Sequence, residues 1–208
     1  MATYDTFAQK FAQTREQVWP DLIELIANSQ VQEYLSLDIV DMGAGSGRLL
    51  DYISDRVSPE KYRGYDLSVG MISEAQKRYP NYIFEVLDMT QMGEIPPVDL
   101  VFFIASFHHL IDSSDQNICM DYLLQILNPR GRGVFLNWNL TSEKLVKRYP
   151  VDTENPDIRS IPFNGSPRFY RAWGLEELST TLEKKGFKVL YASTTLTGAN
   201  MIHIFEKV

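Results

Sequence analysis

Three glycines that alternate with small residues are the most informative feature of this sequence. Gly43, Gly45 and Gly47 lie in the stretch IVDMGAGSG, which begins at Ile39. Glycine tolerates positive φ and has no Cβ to obstruct a ligand. A strand that ends in such a turn, with a helix after it, can lay backbone N–H groups along a bound cofactor. The spacing therefore predicts a cofactor site at the carboxyl end of a strand.

The acidic residue beside this turn narrows the choice of cofactor. Asp41 would repel the pyrophosphate of a dinucleotide, whereas it would attract a cofactor with a sulfonium and an ammonium group. A dinucleotide fingerprint, G-x-G-x-x-G, would also need a glycine at the position of Arg48. The sequence favours S-adenosylmethionine over NAD, with a purely structural strand–helix turn as the alternative.

Two more acidic residues end the next two predicted strands. Asp66 lies about 20 residues after the turn, where a carboxylate can accept hydrogen bonds from both ribose hydroxyls. Asp88 could accept from the adenine amino group while Met89 packs on the ring, although a turn aspartate is the alternative for Asp88. Open α/β sheets bind ligands outside the carboxyl ends of their strands, so the three acids together indicate one site.

A pair of histidines follows the fourth predicted strand. His108 and His109 could lie over the cofactor methyl group and contact the substrate, with a solvated loop pair as the alternative. A metal site is not expected, because Cys119 is the single cysteine and no carboxylates lie at ligand spacing nearby.

The elements that position these residues can be read from the apolar pattern. We predict strands at 38–41, 62–66, 83–87, 99–105 and 133–138, and a C-terminal hairpin made by 187–194 and 201–208. Helices are expected from about Arg48, from Ser68 to about Tyr79, from Ser113 or Ser114, and over 175–185. Residues 128–131 read as a turn. This alternation predicts a parallel sheet with an antiparallel edge.

Two segments are expected to cover the site. Residues 1–36 carry apolar side chains at helical spacing and are interpreted as a helical lid, in which Trp19 and Pro20 open a second helix. Residues 141–167 contain four prolines and mixed charge, and we interpret them as an irregular insertion. The whole chain, 1–208, is expected to form a single domain.

Composition restricts the class of partner. A formal net charge of −7 argues against a strongly basic nucleic-acid binder, although a local basic patch is compatible with that charge. The first residues lack the apolar core of a signal peptide, and no apolar run reaches about 18 residues, so no membrane association is expected. A single cysteine fits a reducing compartment, and we expect a cytoplasmic protein.

The motifs in combination are similar to a known family. DMGAGSG, GYDLS, VLDM and FIASFHHL resemble the class I S-adenosylmethionine-dependent methyltransferases over roughly residues 38 to 140. The resemblance implies an α/β, Rossmann-like fold with a seven-stranded, mostly parallel sheet and an antiparallel C-terminal edge strand. Shorter segments at 4–20, 137–138, 161–163 and 168–178 resemble the tRNA wobble-uridine carboxymethyl methyltransferases, which esterify a carboxymethyl group.

The resemblance also implies roles for individual residues. The implied cofactor contacts are Tyr4, Arg15, Asp41, Gly43, Ala44, Gly45, Asp66, Leu67, Met71, Asp88, Met89 and Ala105. The implied catalytic residues are His108 and Arg15, and the implied substrate contacts are His108, His109, Trp138, Arg168 and Tyr170. Aromatic residues and arginines also pack lids onto cores, which is the structural alternative for the substrate set.

Three functions fit these observations. The first is methylation of a carboxylate on tRNA wobble uridine, and the second is methylation of a small organic acid or other metabolite. The third is a non-catalytic cofactor-binding subunit, and an activating protein subunit is a further expected partner. A carboxylate acceptor is already ionised at neutral pH, so neither carboxylate reaction requires a general base.

Overall fold

The computed structural model describes residues 18–91, 93, 95–151, 154–163 and 166–208. Tyr4 and Arg15, and with them most of the predicted helical lid, lie outside the described residues. The strands of the main sheet are β1 Ile39–Met42, β2 Tyr62–Asp66, β3 Ile83–Val86, β4 Val98–Ile104, β5 Leu127–Trp138, β8 Phe187–Thr194 and β9 Asn200–Lys207. A separate hairpin consists of β6 Ile158–Phe163 and β7 Ser166–Arg171.

Helices precede or connect these strands. They are α1 Pro20–Ala27, α2 Ser29–Gln32, α3 Leu50–Ile53, α4 Val69–Arg78, α5 Ser113–Ile126, α6 Glu143–Arg148 and α7 Leu175–Lys184, with short 3-10 turns at Pro59–Lys61 and Phe107–His109. Within the part of the chain that the structure describes, no helix combines the length and apolar character needed to cross a membrane.

The main sheet has seven strands in the order β3-β2-β1-β4-β5-β9-β8. Strands β1 to β5 pair in parallel, whereas β9 runs antiparallel to both β5 and β8. The predicted α/β, Rossmann-like sheet with an antiparallel C-terminal strand is confirmed, with β8 paired outside β9. The carboxyl ends of β1, β2, β3 and β4 therefore meet at one edge, next to the glycine loop, Asp66 and Asp88.

Apolar side chains cover both faces of the sheet. Alternate residues of β4 point to opposite sides, so Leu100 and Phe102 join one buried cluster while Val101 and Phe103 join the other. The first face is covered by α1, α3 and α4, and the second by α5 and α7. A central strand buried on both faces needs a continuous apolar run, as predicted for residues 99–105.

The helix after the glycine turn is shorter than predicted. The sequence predicted a helix from about Arg48, but α3 is one turn long and begins at Leu50. Gly45 and Gly47 have φ of 58° and 79°, outside the right-handed helical region, so the chain reaches helical geometry only after them.

Residues 128–131 do not form a separate turn as predicted. They lie within β5, where the pairing with β4 shifts between Val98 and Leu100, and Arg130 has a φ of 66°. The segment begins two residues after Ile126, the last residue of α5, and its polar residues form a bulge near the start of a long strand.

The segment 141–167 was predicted to be irregular, and this was wrong. It contains α6 and β6 and reaches the start of β7, and β6 and β7 pair antiparallel. Pro162 lies directly opposite Pro167. Proline has no backbone N–H, so two facing prolines fit only at a non-hydrogen-bonded pair of an antiparallel ladder. The prolines therefore reduce the number of backbone hydrogen bonds between β6 and β7 without preventing the hairpin.

The described part of the predicted N-terminal lid belongs to the core. Leu22 and Leu25 of α1 are fully buried in the cluster that contains Ile53. Thr197, in the β8–β9 turn, donates a 2.8 Å hydrogen bond to Asp21. Helix α1 is therefore fixed to the sheet, and the lid role of the preceding residues stays a prediction.

Candidate functional site

The glycine loop after β1 is held by the end of β2. The N–H groups of Gly43 and Ala44 donate to the carbonyl oxygen of Tyr65 at 2.7 and 2.8 Å, and the N–H of Gly45 donates to Asp66 Oδ2 at 2.9 Å. These three donors were expected to line a cofactor, but here they shape the loop. At Gly45, apart from its two chain neighbours, no heavy atom of the described residues lies within 4 Å of the position of a Cβ, so among these residues the loop has an open side.

The end of β4 presses closely against the loop. A Cβ on Gly43 would lie 2.3 Å from the Cβ of Ser106, whose hydroxyl donates a 2.6 Å hydrogen bond to the carbonyl oxygen of Met42. The preceding residue, Ala105, has a φ of 53°, which is unusual for a residue other than glycine. Backbone strain of this kind persists where the surroundings enforce it, and it is frequent at functional sites.

Asp66 connects the glycine loop to the turn after β2. Its Oδ2 accepts from Gly45, and its Oδ1 accepts from the N–H of Ser68 at 2.9 Å. Contact of this carboxylate with the ribose hydroxyls stays a prediction. Leu67 is 52% exposed beside it, as expected for a residue that borders an open crevice. Met71 is instead buried, and its N–H donates to the hydroxyl of Ser68, which caps α4.

Asp88 forms a local turn at the end of β3. Its Oδ1 accepts from the N–H and the hydroxyl of Thr90 at 2.8 and 2.7 Å, which is the turn geometry considered as the alternative. The N–H of Leu87 donates to the carbonyl oxygen of Asp66, so Asp88 still follows the strand end that borders the crevice. Met89 is partly buried against the core. Contact of Asp88 and Met89 with adenine stays a prediction.

Asp41 lies beneath the loop. Its side chain is 1% exposed, and its Oδ2 accepts a 2.8 Å hydrogen bond from the Tyr62 hydroxyl. Burial raises the pKa of Asp41 to about 7, the Tyr62 hydrogen bond opposes this shift, and the charge of Asp66 adds to it. The carboxylate has no open face toward the crevice in this structure, so a direct cofactor contact stays a prediction.

The predicted substrate residues come together beside β4 and β5. His108, His109, Trp138 and Tyr170 form a cluster of rings, hereafter the acceptor cluster, with centroid distances between 4.8 and 5.5 Å. Tyr170 comes from β7, so the unpredicted hairpin supplies one wall of this cluster. The Nδ1 atom of His108 lies 3.2 Å from Oδ1 of Asn137. Asn137, the residue before Trp138, was not among the predicted site residues.

Arg168 lies two residues before Tyr170 on the same face of β7. Its guanidinium stacks 3.7 Å from the centroid of the Phe163 ring. Arg171 has a different environment, because its guanidinium forms ion pairs with Asp157, at 3.5 Å, and with Glu177. The structure thus places Arg168, but not Arg171, on the face that carries the acceptor cluster.

Arg159 is a buried cation that the sequence analysis missed. It lies opposite Tyr170 in the hairpin, is 4% exposed, and donates to the carbonyl oxygens of Pro156 and Ile158. Burial lowers the pKa of its guanidinium. The inward orientation of Arg159 follows from the alternation of side chains along a strand, and the prolines in residues 158–171 concealed that these residues form strands.

No group of three or more potential metal ligands occurs among the described residues.

Comparisons with known proteins agree with this geometry. Residues 39–131 match the methyltransferase domain family. A putative methyltransferase of Invertebrate iridescent virus 6 is 33% identical over 189 residues, which is 85% of this chain and 67% of the relative. A trans-aconitate 2-methyltransferase of Escherichia coli is 27% identical over 153 residues, and the match covers 71% of this chain but only 58% of that enzyme.

Solved structures show the same fold. The crystal structure of an S-adenosylmethionine-dependent methyltransferase from Methanosarcina mazei superposes with a TM-score of 0.72 at 18% identity. The superposition covers 87% of this chain and 98% of that one. The fold of this chain is therefore shared with a protein that differs from it in most residues.

Proposed function

The chain belongs to the class I S-adenosylmethionine-dependent methyltransferases, and we propose that its methyl acceptor is a carboxylate of a small organic acid. The observation that carries the proposal is the acceptor cluster. His108 and Tyr170 are buried, with an arginine, Arg168, on the same hairpin face as Tyr170. Such a site combines apolar walls with a few polar groups and is typical of pockets for small ligands.

The residues present fit the cofactor of the family. The open side of Gly45 and the carboxylate of Asp66 lie at the same strand ends, where a ribose could be held by hydrogen bonds. When bound, S-adenosylmethionine would supply an electrophilic methyl group, and no proton would need to move because the electron pair of the broken carbon–sulfur bond would stay on sulfur.

The residues of the chain would contribute orientation and exclusion of water. An ionised carboxylate is the nucleophile at neutral pH without a base. Holding it in line with the methyl group is the main source of rate in such a reaction, and buried rings around it keep water away. A guanidinium near the acceptor would bind a second carboxylate of the same acid.

The relatives support a small acid more than tRNA. The relative from Escherichia coli is named for trans-aconitate, a small molecule with several carboxylates. The net charge of −7 gives little attraction to a polyanion, and Arg171 is already paired with acidic side chains. Because the chain spans less than two thirds of that relative, the identity of the acid is part of the proposal.

Methyl transfer to defined acceptors tests the proposal. The purified chain is incubated with S-adenosylmethionine labelled in its methyl group and with trans-aconitate, other di- and tricarboxylic acids, or unfractionated tRNA. We expect label in an acid, released as methanol by mild base because the product is an ester. Label in RNA would support tRNA as the methyl acceptor. Activity only after addition of cell extract would indicate that an activating subunit is required. No transfer under any condition would favour the non-catalytic alternative.

A further inference from the structure

One face of the β6–β7 hairpin contributes to the acceptor cluster. Along β6, Arg159 and Ile161 are buried, whereas Ser160 between them is exposed. Arg159 lies directly opposite Tyr170 in the antiparallel ladder, and Ile161 lies opposite Arg168. Residues that lie opposite each other project from the same face of a sheet, with Cβ atoms about 5 Å apart. The side chain of Arg159 therefore shares a face with Tyr170, one of the rings of the acceptor cluster.

The guanidinium of Arg159 is buried without an anionic partner. It is 4% exposed and forms no ion pair with an acidic side chain in the part of the chain that the structure describes. Asp157, the nearest acidic residue in the sequence, pairs with Arg171 instead. One guanidinium nitrogen donates to the carbonyl oxygens of Pro156 and Ile158 at 2.6 and 3.1 Å. The Nε atom is buried and has no hydrogen-bond partner.

A buried cation in this state lacks the usual compensation. Buried charges in proteins are normally paired, because taking a charge out of water is unfavourable. The two carbonyl oxygens supply dipoles but no negative charge. Burial accordingly lowers the pKa of the Arg159 guanidinium, the charge of Asp157 opposes this shift, and the charge of Arg171 adds to it. An anion from outside the chain would supply the missing negative charge.

We propose that Arg159 is an anion-binding residue of the acceptor site and holds a carboxylate other than the one that receives the methyl group. The inference rests on the function proposed above. Arg168 is the diagonal neighbour of Arg159 in the ladder, and the Cα atoms of such neighbours lie about 7–8 Å apart. Each guanidinium can bind one carboxylate. The hairpin thereby selects acids with several carboxylates over monocarboxylic acids.

A structural role is the alternative for Arg159, because its hydrogen bonds to two carbonyl oxygens also fasten the segment before β6. A fastening role depends on N–H donors, whereas an anion site depends on positive charge. Two variants separate these requirements. Arg159→Lys keeps the charge but loses the planar fork, and Arg159→Gln keeps N–H donors but has no charge.

Calorimetry with trans-aconitate in the presence of S-adenosylhomocysteine tests the site without methyl transfer. The dissociation constant should rise about tenfold or more in Arg159→Gln, as expected for one hydrogen bond between charged groups, and by less in Arg159→Lys. Crotonate has a single carboxylate, so its affinity should change by about twofold at most. An unchanged affinity for S-adenosylhomocysteine reports an intact cofactor site. Full affinity for trans-aconitate in Arg159→Gln, or an equal loss for both acids, would overturn the inference.

Initial rates with trans-aconitate distinguish this inference from the proposed function. In Arg159→Gln, KM should rise about tenfold or more while kcat changes by about twofold at most, because the bound carboxylate does not react. Methylation with the same KM in both variants would overturn the role of Arg159 and leave the proposed function intact. Trans-aconitate that binds through Arg159 but accepts no methyl group would overturn only the proposed function. If neither trans-aconitate nor another acid binds to the unsubstituted chain, both fail.

Discussion

The hydroxyl of Tyr62 donates a 2.8 Å hydrogen bond to the carboxylate of Asp41, and both side chains are buried beneath the glycine loop. Burial raises the pKa of Asp41 from its ordinary value of 3.8 to about 7. The folded chain therefore keeps a proton that the unfolded chain releases. The contribution of Asp41 to the free energy of unfolding is greatest below its pKa in the unfolded chain. This contribution falls as pH rises toward its pKa in the folded chain and is constant above that value.

Asp41→Asn should remove much of this pH dependence. The amide is neutral at every pH. Between pH 5 and pH 8, the free energy of unfolding should therefore fall by about 2 kcal/mol less in Asp41→Asn than in the unsubstituted chain. Urea unfolding at the two pH values measures the difference. Tyr62→Phe is the matched control, because it removes the donor that opposes the shift and should cost more stability at pH 8 than at pH 5. Equal pH dependence in Asp41→Asn and the parent would show that Asp41 ionises normally in the folded state.

Gly43→Ala and Gly45→Ala should separate loop stability from cofactor binding. At Gly43, a Cβ would lie 2.3 Å from Ser106 and φ is 79°, so we expect a loss of about 1–3 kcal/mol of unfolding free energy. At Gly45, φ is 58° but the space is open, so the backbone cost alone applies, about 1 kcal/mol.

The same open space makes Gly45→Ala the stronger test of the cofactor site. A methyl group there would occupy room on the ligand side, so affinity for S-adenosylhomocysteine should drop by more than the change in stability accounts for. Thermal unfolding and calorimetry, run on both variants, give the two quantities separately. Unchanged affinity in Gly45→Ala would place the cofactor elsewhere.

The sequence predicted the sheet because its central strands carry an unambiguous pattern. The run at 99–105 is apolar at nearly every position, which only a strand buried on both faces requires, and Gly43 and Asp66 mark the ends of β1 and β2. Residues that follow parallel strands share one edge, so Asp66, Asp88 and His108 could be assigned to one region without knowledge of their contacts.

Contacts between residues distant in the sequence could not be predicted in this way. Arg159 and Tyr170 face each other in a hairpin whose prolines conceal the alternation of strands, and the hydrogen bond from Tyr62 to Asp41 depends on the register of β1 against β2. The short α3 has a local cause, the positive φ of Gly45 and Gly47. A glycine pattern shows that such conformations are allowed, but tertiary packing decides whether they are used.

Asp66→Ala should weaken both the loop and the cofactor site. The carboxylate accepts from the N–H groups of Gly45 and Ser68, so its loss leaves two backbone donors without their acceptor. We expect cofactor affinity to fall by about 1.5–3 kcal/mol, the range for hydrogen bonds to a charged group, together with a smaller loss of unliganded stability. Asp66→Asn keeps one acceptor oxygen, so its cofactor affinity should lie between those of the unsubstituted chain and Asp66→Ala. Full affinity in Asp66→Ala, measured by calorimetry, would contradict a ribose contact.

Arg168→Ala and Arg171→Ala should have opposite effects on binding and stability. Arg168 shares the hairpin face with Tyr170, so its loss should raise KM for an acidic acceptor about tenfold or more, as expected for one hydrogen bond to a charged group. Arg171 is paired with Asp157 and Glu177, and its loss should lower the melting temperature while KM stays unchanged. Initial rates over a range of acid concentrations and thermal unfolding, measured on both variants, distinguish the two roles. If tRNA were the acceptor, both variants would instead weaken RNA binding and flatten its salt dependence by about one unit each.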